Sequence, residues 1–183
     1  MTQAARRRQP GVEVAVAAAE DLPFPDDAFD ATLAQLVVPF MHDPAAGLAE
    51  MARVTRDGGV VAACVWDHAG EGPLSVFWRA VRELDRGARD ESGQPGAGEG
   101  QLTVLFRAAG LHDVRESALY VRVRHASFDD WWAPFTLGVG PAGAYVKGLG
   151  TDVAAELRER CRLLLGGAPG PRRARAAAAR GLA

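Results

Sequence analysis

The chain has 183 residues, 48% hydrophobic and 24% charged, which is the length of one domain with an ordinary globular composition. No apolar run reaches the roughly 18 residues of a membrane span, and no apolar stretch of a signal peptide follows the basic start MTQAARRRQPG; the expectation is a cytoplasmic protein with no membrane partner. Net charge is −2, but Arg6, Arg7 and Arg8 lie at one end and Arg172, Arg173, Arg175 and Arg180 at the other. Removing these seven from 21 leaves 14 basic against 23 acidic residues, and so acidic a body argues against a nucleic-acid partner.

Residues 3–8 read as the last turn of a helix that Pro10-Gly11 breaks. Val12, Val14 and Val16 alternate with Glu13 and Ala15 as a short strand. LPFPDD at 22–27 is a turn, because its prolines lack a donor and push their predecessors to extended backbone. Residues 29–38 form the next strand, whose apolar run Leu36, Val37, Val38 predicts burial on both faces. Asp43-Pro44 starts a helix, with a side-chain oxygen for the cap and then a proline where no N–H is needed. Leu48, Met51, Ala52 and Val54 with Thr55 mark its buried stripe, Gly58-Gly59 its end, and 60–66 a buried strand.

Residues 73–86 are an amphipathic helix with Leu74, Phe77, Trp78, Val81 and Leu84 on one face, and the glycine-rich 87–100 is a flexible loop or lid. A helix over 102–109 stops at Gly110, and 114–124 alternates as a one-sided strand near a sheet edge. Ser127 with Asp130 predicts a capped helix that opens the aromatic segment Phe128, Trp131, Trp132, Phe135. Thr151 caps a helix to 165. The remainder, GGAPGPRRARAAAARGLA, lacks a strand pattern. Cys64 and Cys161, without a CxxC spacing, read as buried free thiols. The grammar is α/β, divided into a core over 1–125, a helical cover over 126–165 and a low-complexity, disordered tail over 166–183.

The segments AEDLPFPDDAFD (19–30), AEMARVTRDGG (49–59) and VVAACVWD (60–67), in that order and spacing, resemble the class I S-adenosylmethionine-dependent methyltransferases, in the branch similar to the ubiquinone/menaquinone-biosynthesis enzymes. The resemblance covers about residues 3–165. It implies a partial Rossmann-like methyltransferase sheet, with strands resembling 3, 4, 5 and 6 of the family order 3-2-1-4-5-7-6, flanking helices, a helical substrate cover and a cofactor at the carboxyl ends of the strands. By the same resemblance, Ala18, Ala19 and Glu20 bind cofactor, with the Ala19 N–H facing the adenine, and Gln35 lies near its methionine part. Residues 36–43 separate cofactor from substrate, and Trp66, Asp67 and His68 face the substrate. Trp78, Trp131 and Trp132 are either an aromatic wall for the acceptor or the core of the cover. His42 and His68 are the general-base candidates, against surface or packing roles. No metal is implied.

The expected activity is methyl transfer to a small-molecule acceptor; the alternative is an inactive, truncated remnant acting at most as an interaction module. The family's first strand with its glycine-rich loop, and the acid-tipped second strand, would lie upstream of Met1, so weak or absent S-adenosylmethionine binding is expected. The pattern Gly138-x-Gly140-x-x-Gly143 follows no strand, contains Pro141 and belongs with the cover helices. The loss of pattern after Leu165 reads as a frame change or a divergent end. Without strands 1, 2 and 7 only 4 and 5 remain paired, so either strand 3 moves in beside strand 4, or the chain is poorly folded, or a partner such as a second copy completes the sheet.

Overall fold

In chain order, the computed structural model, which describes residues 2–166 and 172–183, forms α1 (Thr2–Arg8), β1 (Phe29–Gln35), α2 (Pro44–Val54), β2 (Thr55–Trp66), α3 (Ser75–Leu84), α4 (Gln101–Ala108), β3 (His112–Val123), α5 (Phe128–Trp132), α6 (Gly140–Lys147), α7 (Thr151–Leu164) and β4 (Arg172–Leu182). Short 3-10 turns at Val38–Phe40, Glu91–Gly93 and Ala133–Leu137 join them.

The strands make one sheet in the order β1-β2-β4-β3, with β1 parallel to β2 and β4 antiparallel to both of its neighbours. This is the 4-5-7-6 part of the family order, and it corrects two expectations. Residues 172–182 are not a disordered tail: they are an interior strand, paired with β2 from Val60↔Leu182 to Trp66↔Ala176 and with β3 from His112↔Leu182 to Val123↔Arg172. Alanine has weak strand preference and occupies both parities at 176–179, so no alternation shows in the sequence. Ala174, Ala176, Ala177 and Ala179 are nonetheless all buried, Ala177 and Ala179 in the core on the covered face of the sheet. Residues 167–171 of the predicted tail lie outside the described residues. Conversely, Val12, Val14 and Val16 form no strand. Val12 and Val16 are 58% and 80% exposed, for a strand needs a neighbour to satisfy its backbone.

One face of the sheet is covered. Val61, Ala63 and Val65 of β2 point into a core with Ala34, Leu48 and Met51 on one side and Leu102, Phe106 and Leu111 on the other. Asp43 caps α2 through Ala45 and Ala46 N–H at 3.0 and 3.1 Å, as expected. The start of α4 has no local side-chain cap; Glu116 of β3 reaches across to accept from Gly100 N–H at 2.9 Å and Thr103 Oγ1 at 2.7 Å. The last long helix is capped by Gly150, not Thr151.

The expected burial of the run 36–38 is met in part: β1 ends at Gln35, Leu36 is half-buried, Val37 is exposed and Val38 is fully buried, while Leu33 within this edge strand is 77% exposed. α3, α5, α6 and α7 build a second core around Phe77, Trp78, Trp132, Phe135, Leu157 and Cys161. Phe77 and Phe135 stack at 4.5 Å. Burial pushes the Cys161 thiol up to about 12, so it is an inert core residue. Residues 87–100 are a packed connection rather than a lid, with Glu91 and Ala97 buried.

Candidate functional site

The two segments that carry the resemblance, 19–30 and 49–59, are clasped together. Arg53 on α2 donates from Nη1 to Phe24 O at 3.0 Å and Asp26 Oδ1 at 2.7 Å, and from Nη2 to Leu22 O at 3.1 Å. Its neighbour Glu50 accepts from Arg53 Nε at 2.7 Å and from Leu22 N–H at 3.0 Å. Those bonds hold the Glu50 carboxyl well below the usual range, at about 2, the Arg53 guanidinium contributing most. The helix end thereby fixes a turn that two prolines deprive of its own ladder bonds. At the other end of α2, Glu20 accepts from Asp43 N–H at 3.0 Å, the contact that most lowers its pKa. Glu20 therefore positions the turn, and one of its oxygens is already engaged.

Between turn and sheet edge runs an apolar groove of about 340 Å³ lined by Ala19, Leu22, Phe24, Leu33, Val37 and Met41, among others. Gly47 permits this approach: a Cβ there would lie 2.7 Å from Met41 Sδ and 3.4 Å from the Ala19 Cβ. Ala18 is exposed and bridges to Asp21, whose N–H it accepts at 3.2 Å. The Ala19 N–H has no acceptor among the described residues. An apolar groove with one free backbone donor fits the adenine of the expected cofactor. Gln35, at the end of β1, is exposed and lines a different hollow, the open face of the sheet with Leu33, Ala62, Cys64 and Ala178. Directly after it, Leu36 takes a left-handed φ of 58°, costly for a branched side chain, and turns the chain out of the sheet. His42 lies exposed beside the cap of α2, within electrostatic reach of Glu20.

At the end of β2, Trp66 is half-buried and pairs with Ala176. Asp67 does not face open space. It is buried against Arg175 of β4, whose Nη1 donates to Oδ2 at 2.6 Å. Backbone bonds Asp67 N–H to Arg175 O at 3.0 Å and Arg175 N–H to Glu71 O at 2.9 Å seal the loop onto the strand. Gly72 completes the turn: a Cβ there would lie 2.5 Å from Asp67 O. His68 is half-buried with Nδ1 enclosed and unpaired, and burial lowers its pKa, so it is neutral at pH 7.

Of the aromatic residues, Trp78 donates from Nε1 to the buried Glu91 at 2.8 Å, and its ring packs edge-on against Phe77. Trp131 and Trp132 are 7% and 6% exposed in the cover core. Of the two readings, the packing one describes most of their surface, although Trp131 also borders a cavity of about 440 Å³ with Leu74, Val76, Val123 and Phe135. The stretch Gly138–Gly143 joins the Ala133–Leu137 turn to α6, with Gly143 packed on the Gly138 backbone, inside the cover.

Arg53, Glu50, Arg175 and Glu91 hold the segments around the candidate site, a role that sequence reasoning misses. Glu50 and Arg53 carried a signal, the E-x-x-R spacing on one helix face. Arg175 carried none, since it pairs across 108 residues.

A methyltransferase-domain family model matches residues 1–63. The chain is 34% identical over 146 residues to a demethylmenaquinone methyltransferase of Mycobacterium sp. (strain KMS), covering 76% of this chain and 60% of that protein. It is 43% identical over 85 residues to a malonyl-[acyl-carrier protein] O-methyltransferase of Serratia marcescens, covering 46% and 32%. The chain thus spans about a third to three-fifths of the length of the curated relatives it matches. A solved structure from Anaeromyxobacter dehalogenans, described as a type II methyltransferase, superposes with a TM-score of 0.60 at 26% identity, covering 97% of this chain and 76% of the other.

Proposed function

We propose that this chain is a class I S-adenosylmethionine-dependent methyltransferase, supplying the adenine-side and methionine-side walls of the cofactor site and the acceptor side of a methyl transfer to a small molecule. The observation that carries the reading is the groove at the turn 18–24, where Ala19 offers a free N–H beside an apolar surface, next to the carboxyl end of β1. When bound, S-adenosylmethionine supplies a methyl group already activated by its sulfonium.

The chain's residues then have to align the acceptor and exclude water, which accounts for most of the rate in an in-line displacement. Ala18 and Ala19 hold the adenine, and Gln35 and the left-handed turn at Leu36 border the methionine end. Glu20, Glu50 and Arg53 keep the turn in place. The acceptor enters from the cover side, against Trp131 and the apolar cavity it borders, with Trp66 at the end of β2 facing it. Asp67 holds the loop 67–72 through Arg175 and moves no proton. His68, neutral and beside that loop, is the group able to take a proton from an acceptor hydroxyl; His42 is the weaker candidate because it lies open to solvent.

Affinity for S-adenosylmethionine is weak, on the order of 1 mM, because the described residues form two walls and no glycine-rich turn closes on the cofactor. Calorimetric titration with S-adenosylmethionine tests this: saturable binding that S-adenosylhomocysteine competes away is expected, and no heat of binding at several times that concentration would overturn the reading.

A further inference from the structure

Two cavities meet above the start of β4, and they differ in character. The apolar one, about 440 Å³, is walled by Leu74, Val76, Val123, Trp131, Pro134 and Phe135. The other, about 720 Å³, holds charge: His68, Glu71, Arg79, Arg82, Asp90 and Arg173 line it over the ring of Trp78. Ser75, Val76 and Arg173 border both, so the two spaces adjoin along the first turn of α3.

The charge of the second cavity is unbalanced. Arg82 is neutralised by Asp90 at 2.5 Å. Arg79 and Arg173 have no carboxylate partner among the described residues, and only Glu71 opposes them. The guanidinium carbon of Arg173 sits 3.6 Å from the centre of the Tyr120 ring, a cation–π contact that holds the group in place and uses none of its N–H donors, which remain available to an oxyanion. Its cross-strand partner on β3 is Arg122, another cation, an arrangement that costs stability unless an anion offsets it.

We propose that the two cavities are one binding site for a small molecule with an apolar body and a carboxylate or phosphate end, the body lying against Trp131 and Phe135 and the oxyanion held by Arg79 and Arg173. That this molecule is the methyl acceptor rests on the function proposed above; that the site binds it does not.

The test uses the whole chain without S-adenosylmethionine, so its outcome is separate from that of the cofactor titration. Octanoate, octyl phosphate and octanol are titrated while tryptophan fluorescence is read, since Trp78 and Trp131 border the two cavities. Saturable quenching by at least one anion is expected, with octanol about tenfold weaker or worse. Arg79→Gln and Arg173→Gln each weaken the anion about fivefold or more and leave octanol unchanged, and Arg173→Lys falls between. Binding of one anion and not the other supports the site and identifies its headgroup. Octanol binding as tightly as the anions, no saturation by either anion, or an anion affinity in both glutamine variants equal to the parent's would overturn the proposal. Unchanged thermal unfolding of Arg79→Gln, whose side chain is exposed on α3, keeps a folding defect from imitating the expected result.

Discussion

Arg175 Nη1 donates to Asp67 Oδ2 at 2.6 Å and ties the residue after β2 to the fourth residue of β4. The carboxylate is 8% exposed and the guanidinium 20%, so water cannot readily replace the missing partner. Arg175→Ala strands a buried carboxylate and should lower stability by about 2 kcal/mol in urea unfolding. Asp67→Asn with Arg175→Gln removes both charges and should recover part of that loss. A single variant Arg175→Ala as stable as the parent would mean that the strand is held by its backbone ladder alone.

Glu50 and Arg53 make a pH-dependent clasp. Because the folded carboxyl titrates at about 2, below its ordinary 4.5, its contribution is fully present above pH 4.5 and is lost as pH falls from there toward 2. Glu50→Gln should therefore flatten the slope of thermal midpoint against pH in that window and change little of the slope above it. Arg53→Lys, which keeps charge but cannot reach Glu50, Asp26 and two carbonyls together, should loosen the 18–26 turn, read as faster amide exchange at Leu22.

Trp78→Phe conserves most of the ring packing but removes the donor to Glu91, itself 7% exposed. A cost of about 1–3 kcal/mol is expected in urea unfolding, with Glu91→Gln milder because its amide oxygen still accepts. Equal stability of Trp78→Phe and the parent would show that the 87–100 segment is held elsewhere.

What the sequence reveals and what it hides follow from the range of the forces involved. Local chemistry was legible: the cap at Asp43, the cap at Ser127, the breaks at Pro10-Gly11 and Gly110, and the buried stripe Leu48, Met51, Val54 all appear where propensity and period place them. Long-range pairing was not. β4 is a strand because β2 and β3 flank it, while Val12–Val16, with better strand residues, stays unpaired for want of a neighbour. For the proposed site, the resemblance carried by the sequence points to Ala19 and the end of β1. It could not show that Asp67 is engaged by an arginine 108 residues away, or that Arg79 and Arg173 share a cavity.

The most direct test of the cofactor wall is a titration of the ¹⁵N-labelled chain with S-adenosylmethionine, following amide shifts. Saturable shifts centred on Ala18, Ala19, Glu20 and Gln35, reversed toward the free spectrum in Ala19→Pro, which deletes the free N–H, are the predicted result. Shifts confined to the cover helices, or none at several millimolar ligand, would contradict the assignment of the turn and the end of β1 as the walls of the site.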